Sequence, residues 1–250
     1  MNILINGAGG RMGRALTALL EKNRRGFSLA GRVDPFVRGE GILPSLSAFE
    51  GEAHCVIDVS SHTGVGPLLD WAIAKRTPVV ICTTGHTDGE QDIIRSAAEQ
   101  LPLFFSGNLS LGIALLTRLV REAAEFLPDA DIEIVEHHHT TKTDVPSGTA
   151  LMLARAVGQV RPDALTLVGR RDSGRRSPRE IGIHSLRLGS SAGIHEVLLD
   201  TGSQIITLRH EARDPSVYAE GALAAAAFLQ GKAPGLYTMD DWMAERRASL

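Results

Sequence analysis

The chain has 250 residues, long enough for one large domain or two modest ones, and a net charge of −3 that gives no electrostatic reason to expect nucleic acid or a membrane surface. No apolar run reaches the length of a membrane span. Two cysteines in apolar, strand-like settings (Cys55 and Cys82) predict reduced thiols, and a first strand with no leader pattern before it predicts a cytoplasmic protein.

Residues 2–6 read as a short buried strand, followed by Gly7-Ala8-Gly9-Gly10-Arg11-Met12-Gly13 and a helix over residues 14–22. Strand, glycine-rich turn and helix in that order is the setting in which a glycine motif holds a dinucleotide. The spacing departs from GxGxxG, because Met12 stands five after Gly7; Gly7, Gly10 and Gly13 recur every three residues instead. Their jobs are a tight turn, a backbone close to a pyrophosphate, and close packing of helix on strand. Residues 27–33 read as the second strand. Asp34 ends it about 20 residues beyond the loop, where an acid accepts from ribose hydroxyls and favours NADH over NADPH. Arg32 and Arg38 are near enough in sequence to blunt that preference by pairing with a 2′-phosphate. The plainer reading of Asp34-Pro35 is a turn.

The alternation continues. Residues 55–59 and 78–82 read as strands separated by a helix over 65–75, with Thr83-Thr84-Gly85-His86 as the turn out. A helix over 91–100 leads to a strand at 103–105 and the exit loop Ser106-Gly107-Asn108-Leu109-Ser110. Such a βαβα series predicts a Rossmann-type doubly wound parallel sheet, with its ligand crevice at the carboxyl ends of the strands. Small and hydroxyl-bearing turns at those ends suit a nicotinamide ring. A long amphipathic helix over 111–127 is stopped by Pro128.

The pattern then changes. Ile132, Ile134 and Val135 lead a strand into His137, His138 and His139; Lys142 follows, and residues 144–149 turn the chain into a helix that Gly158 is expected to stop. Pro146 suits the approach to a helix. The N–H groups around Ser147, Gly148 and Thr149 form an anion site that Gly148 leaves open to a ligand. With a proton donor and a fixed positive charge just upstream, the stretch reads as a site for an acidic substrate. The alternative is surface histidines beside an ordinary helix cap. On a strand His137 and His139 face one way and His138 the other, and neither an HExxH spacing nor a cysteine pair is present, so no metal is expected.

Residues 165–168, 183–188, 193–199 and 204–209 read as strands joined by glycine-containing turns, which predicts an antiparallel or mixed sheet in a second, α+β domain. The Arg-rich segment 170–179 reads as a solvated loop, with a basic lid over an acidic substrate as the alternative. A last helix over 217–230 and the tail at 236–242 return to the first sheet. The expected division is a dinucleotide-binding domain of residues 1–110 and 214–250, and a substrate-binding and oligomerisation domain of residues 111–213.

Together these segments resemble the 4-hydroxy-tetrahydrodipicolinate reductase (dihydrodipicolinate reductase) family over nearly the whole chain. The resemblance is carried by GAGGRMG at Gly7, CTTG at Cys82, GNLSLG at Gly107, EHHHTTKTDVPSGTA at Glu136, IGIHSLRLGSSAGIHEV at Ile181 and GLYTMDD at Gly235. It implies hydride transfer from NADH or NADPH to a small cyclic dicarboxylate in lysine and diaminopimelate synthesis, in a homotetramer joined through the second domains. It places the acid at His138 and the assisting lysine at Lys142, with His139 on a substrate carboxylate and Gly148 and Thr149 holding the substrate. Gly7, Ala8, Gly9, Gly10, Arg11, Met12, Asp34, Cys82, Thr83, Thr84, Ser106, Gly107, Asn108 and Leu109 would line the cofactor. The chain departs from the family at Cys82, Val59, Ser60, Leu109 and Thr141, none of them a proposed catalytic group. Two other readings are an amino-acid or semialdehyde dehydrogenase on the same scaffold, and a nucleotide-binding regulator without catalysis.

Overall fold

The computed structural model describes residues 1–22, 26–170, 173–214 and 216–248. In chain order the elements are β1 (Asn2–Asn6), α1 (Arg11–Glu21), β2 (Ser28–Val33), β3 (Ile42–Leu43), β4 (Cys55–Asp58), α2 (Val65–Lys75), β5 (Val79–Ile81), α3 (Asp88–Ala98), β6 (Pro102–Phe105) and α4 (Leu111–Phe126). They continue with β7 (Asp131–His138), α5 (Gly148–Val160), β8 (Leu165–Val168), β9 (Glu180–Arg187), β10 (Ile194–Asp200), β11 (Ile205–Glu211), α6 (Ser216–Phe228), β12 (Gly235–Tyr237) and α7 (Met239–Ala248). The chain divides into two compact units, Met1–Ser110 with Ser216–Leu250, and Leu111–Pro215.

The first unit carries a seven-stranded sheet in the order β12-β6-β5-β4-β1-β2-β3, every adjacent pair parallel. A parallel sheet covered on both faces needs strands with continuous apolar runs, and the central ones have them: Ile3 to Ile5, Cys55 to Ile57 and Val79 to Ile81 are all fully buried. Ile3, Ile5 and Ile57 pack with Leu16 of α1 and Ala222 of α6. Their neighbours Leu4, Val56 and Val79 pack with Leu68 of α2 and Ile94 of α3. This is the expected doubly wound sheet, extended at one edge by the two-residue β3 and at the other by β12 from the tail.

Two helices start earlier than expected, each for a local reason. Gly10, with φ −72° and ψ 172°, serves as the N-cap of α1, so Arg11 and Met12 belong to the helix's first turn. In α3, Thr87 and Glu90 form a reciprocal capping box, with Glu90 N–H donating to Thr87 Oγ1 at 3.3 Å and Thr87 N–H to Glu90 Oε2 at 2.7 Å.

The second unit carries a mixed sheet, β11-β10-β7-β9-β8, in which β7, β9 and β8 run parallel and β10 is antiparallel to both of its neighbours. Along β7 every second residue is buried, so Ile132, Ile134, Glu136 and His138 share one face. The two isoleucines pack against Ile113 and Val120 of α4 and Leu153 and Val157 of α5. Charged side chains thus continue the face that begins as hydrophobic core.

Gly158 does not stop α5, contrary to expectation; it lies inside the helix. The chain leaves the helix at Arg161, with φ −128° and ψ 79°, because Pro162 follows and disfavours helical geometry at the residue before it. The Arg161 guanidinium then donates to the carbonyls of Ala124, Leu127 and Ala130 at the C-terminal end of α4, joining the ends of both helices.

Within the segment 170–179, Arg171 and Asp172 lie outside the described residues. Arg176 pairs with Glu133 and with Asp131 at 2.9 Å, and donates to the carbonyls of Ile132 and Glu180. It is therefore anchored at the start of β7, the end of the strand away from the histidines. Among the described residues, no helix is long and apolar enough to cross a membrane.

Candidate active site

In the first unit the glycine loop is shaped by two close approaches. Gly7 sits at φ +87°, where glycine is favoured, and a Cβ there would come to 2.7 Å of the backbone of Ser60. A Cβ on Gly13 would lie 2.3 Å from the carbonyl oxygen of Gly7, so the first turns of α1 fit against the loop only as glycine. Asp34, buried at the end of β2, accepts from the N–H groups of Gly9 at 3.0 Å, Phe36 at 2.9 Å and Val37 at 3.0 Å. Burial raises its pKa, but these three donors and Arg38 outweigh it and hold the carboxyl below its ordinary value.

A crevice of about 600 Å³ lies at the carboxyl ends of these strands. Of the expected cofactor residues, Arg11 and Met12, Cys82 to Thr84, and Ser106 to Leu109 line it. Gly7, Ala8, Gly9 and Gly10 lie outside the lining, in the loop before α1, and Asp34, which bonds that loop from the end of β2, lies outside it too. His62 and Tyr218 also line it, and neither was singled out in the sequence. Beneath the wall lies Asp58, 1 % exposed, which accepts from Asn6 Nδ2 at 2.8 Å, Ser60 Oγ at 2.6 Å and Thr83 Oγ1 at 2.7 Å. Burial pushes the Cys82 thiol well above its ordinary pKa, so it presents a neutral wall. An extended crevice with an unobstructed helix start at one side and hydroxyls at the other fits a dinucleotide.

In the second unit the histidine stretch builds a different environment. Glu136 is fully buried, and its carboxylate pairs with His138 Nδ1, accepts from Ser147 N–H at 3.2 Å and takes both Arg187 terminal nitrogens at 2.9 and 2.8 Å. Burial raises the Glu136 pKa, but the bonds from His138 and Arg187 more than reverse it and hold the carboxyl far below the usual range. Arg187 lies directly opposite His138 across the β7–β9 pair and also donates to the Asp144 carbonyl at 2.6 Å. His195 lies opposite Glu136 across the β7–β10 pair. Its Nε2 is 3.1 Å from Ser147 Oγ, and its ring meets that of His138 edge-on at 5.2 Å. Burial, then the proximity of His138, lowers the His195 pKa to about 3, so this imidazole is neutral at physiological pH.

Ser147 caps α5, accepting from Ala150 N–H at 3.2 Å, and Gly148 and Thr149 form the first turn. Lys142 follows the strand and pairs with Asp144 at 2.7 Å. His139 lies just past the strand end, half-buried, with Nδ1 2.7 Å from Thr141 Oγ1. His137 is on the other face, with Nε2 3.0 Å from the Leu188 carbonyl. The structure thus joins His138 to Ser147 through Glu136, and leaves His139 and Lys142 in the loop beside them. Glu136, Arg187 and His195 were not singled out as site residues. Glu136 had one sequence signal, its stride of two from His138 on a strand; the other two reach it only through sheet register. Among the described residues, no group of three or more His, Cys, Asp or Glu side chains is placed to hold a metal ion.

Two family models match the chain: residues 1–109 match "Dihydrodipicolinate reductase, N-terminus", and residues 112–243 match "Dihydrodipicolinate reductase, C-terminus". A curated 4-hydroxy-tetrahydrodipicolinate reductase from Caldanaerobacter subterraneus subsp. tengcongensis is 41% identical, over 96% of this chain and 97% of the relative. One from Caulobacter vibrioides is 41% identical, over 96% of each chain. Among solved structures, the dipicolinate-bound dihydrodipicolinate reductase from Paenisporosarcina sp. TG-14 shares the fold with a TM-score of 0.78 at 23% identity, covering 95% of this chain and 97% of that one.

Proposed function

The chain belongs to the dihydrodipicolinate reductase family and is an NAD(P)H-dependent oxidoreductase, and we propose that it reduces 4-hydroxy-tetrahydrodipicolinate to tetrahydrodipicolinate in lysine and diaminopimelate synthesis, with His138 as the acid and Lys142 assisting. In this reading a domain of residues 1–110 and 214–250 binds the dinucleotide and one of residues 111–213 binds the substrate. The observation that carries the reading is the buried Glu136 carboxylate, which bonds both the His138 ring and the Ser147 N–H that opens α5. One carboxylate thereby ties a proton-bearing imidazole to a helix start, where an anionic substrate group is favoured.

The bound nicotinamide supplies the hydride. The protein's own residues hold the substrate and deliver the proton. Gly148 and Thr149, with His139 and Ser147 beside them, receive a substrate carboxylate at the positive end of α5. Lys142, tied to Asp144, adds a fixed positive charge where negative charge gathers on the substrate; donors so placed stabilise a transition state by a few kcal/mol each. A positioned general acid such as His138 contributes roughly 10²–10⁴-fold. Arg11, Met12, Thr83, Thr84 and the loop from Ser106 to Leu109 hold the cofactor, with Asp34 tilting the choice toward NADH.

Exposed apolar side chains on the second unit's sheet, among them Leu165, Val168, Leu186, Ile205 and Ile206, support self-association through that sheet into a homotetramer. The reaction belongs in the cytoplasm with the other steps of amino-acid synthesis. The test is oxidation of NADH, then NADPH, by purified protein given the cyclic product of pyruvate and aspartate semialdehyde made in situ. Rapid turnover supports the proposal; a folded protein that binds NADH but does not turn over this substrate overturns it.

A further inference from the structure

The polar cluster at the end of β7 closes on itself. Glu136 pairs with His138 Nδ1; His138 meets the His195 ring edge-on; His195 Nε2 lies 3.1 Å from Ser147 Oγ; and Ser147 N–H donates back to Glu136 at 3.2 Å. Around this ring the buried His195 Nδ1 has no hydrogen-bond partner, while on the His138 ring Nδ1 is held by Glu136 and Nε2 forms the outer edge. An ionised carboxylate only accepts hydrogen bonds, so the nitrogen facing Glu136 must carry a hydrogen. The nitrogen left to exchange a proton is Nε2. Gly193 keeps that side clear: a Cβ there would come to 3.0 Å of His138 Nε2, against ordinary contact beyond 3.4 Å.

We propose that Glu136 is the positioning residue of the reaction: acting through Nδ1, it fixes the His138 ring so that Nε2 alone gives and regains the proton. This rests on reading His138 as the acid. In the step itself the Nε2–H bond breaks, its electron pair stays on the imidazole, and the proton passes to the reduced substrate. Nδ1–H and the Glu136 carboxylate are unchanged throughout.

The surrounding charges support this division of labour. Arg187, from β9, grips both oxygens of Glu136 and keeps it an acceptor, so the proton of the pair resides on His138. His195, from β10, is neutral, and His210 stands opposite it on β11. Lys142 and Asp144, from the loop before α5, are paired with each other at 2.7 Å.

The experiment has two parts. The first is ¹⁵N NMR of the histidine-labelled protein across pH, with the His138 signals assigned by their loss in His138→Gln. The expected result is an Nδ1–H tautomer for neutral His138. An Nε2–H tautomer overturns the proposal without any change at Glu136. The second part is kcat at neutral pH, with the His138 tautomer, for Glu136→Gln and Glu136→Asp beside kcat for His138→Gln. Glu136→Gln should lower kcat roughly 10–100-fold at neutral pH, a share of what a positioned acid contributes. Glu136→Asp, which keeps an ionised acceptor, should recover part of the loss, and in Glu136→Gln the Nδ1–H tautomer should no longer dominate. A merely structural role would lower kcat without changing the tautomer. If His138→Gln is inactive while Glu136→Gln keeps the wild-type kcat and tautomer, the positioning role fails and the acid assignment stands. If His138→Gln itself keeps its kcat, the acid assignment falls and the proposal with it.

Discussion

Asp34 accepts a hydrogen bond from the backbone N–H of Gly9 at 3.0 Å, so the acid that ends β2 braces the glycine loop through its own side chain. The donors Phe36 and Val37 occupy its other oxygen. An ionised carboxylate offers about four acceptor positions, and three are taken, which leaves about one for a ribose hydroxyl. In the proposed reading, loop support and cofactor selection share one residue.

Asp34→Ala should separate the two roles. Loss of the ribose contact should weaken NADH about tenfold, as expected for roughly 1.5 kcal/mol of a hydrogen bond to a charged group. Loss of the Gly9 contact should weaken both cofactors by a smaller, equal factor. Isothermal titration with NADH and NADPH reads both effects. Equal weakening of the two would assign Asp34 to loop support alone.

Asp58 acts in the same unit from below. It is 1 % exposed and its two oxygens hold Ser60 and Thr83, the side chains that line the crevice. Asp58→Asn keeps the shape but turns one acceptor into a donor facing hydroxyl groups already committed to it. We expect a stability loss of about 1–3 kcal/mol, the usual cost of an unsatisfied buried polar group. Cofactor affinity should fall severalfold as Thr83 loses its fixed orientation. Urea denaturation and a cofactor titration measure the two effects; an unchanged affinity in a folded variant would show that Thr83 does not depend on Asp58.

The parts of this architecture that were legible in the sequence are those whose cause is local. Gly7, Gly10 and Gly13 announce a strand–turn–helix unit because their roles are backbone roles at short range, and Ser147 announces a cap because a hydroxyl just before a helical run has little else to do. Gly158 misled for the same local reason: glycine often ends a helix, but here Pro162 and the buried contacts of α5 decide where it stops. Glu136 was passed over because an acid on a strand reads as a solvent-facing residue, and only its burial shows otherwise. Arg187 and His195 were out of reach, since their approach to Glu136 depends on which strands lie beside β7 and in what register. His62 and Tyr218 join the crevice through the packing of separate elements, and spacing carries no signal of that.

Arg161 predicts a stability effect confined to the second unit. Its guanidinium bonds the carbonyl of Ala124, in the last turn of α4 where helical partners run out, and those of Leu127 and Ala130 in the connection just beyond. Arg161→Met keeps the apolar stem and removes every donor. The expected loss is about 2–4 kcal/mol, from hydrogen bonds to a charged donor and carbonyls left without it. Chemical denaturation reads the loss, and kcat at a temperature where the variant stays folded should be close to wild type. A loss below about 0.5 kcal/mol, the range of ordinary surface changes, would mean water replaces the guanidinium.

His195 should make folding stability depend on pH in a window of its own. In the unfolded chain its pKa is about 6.5. In the folded chain burial and the neighbouring His138 lower it to about 3. Between these values the unfolded chain binds a proton that the folded chain does not, so stability rises with pH across the window. The histidine costs nothing above about pH 6.5, and the penalty grows to a few kcal/mol as pH falls toward 3. Glu136 has the depressed pKa of a paired carboxylate, so its contribution is complete above about pH 4.5 and is lost only as pH falls below that. The interval from about pH 6.5 to 5 is thus where His195 is read with Glu136 silent. His195→Gln keeps a side chain able to bond Ser147 Oγ and has no proton to refuse. Its urea midpoint should vary less steeply than that of the wild type across that interval, with the two curves drawing together as pH falls. Parallel curves would mean that His195 takes up its proton in the folded state, with Ser147 or His138 moving to accommodate it.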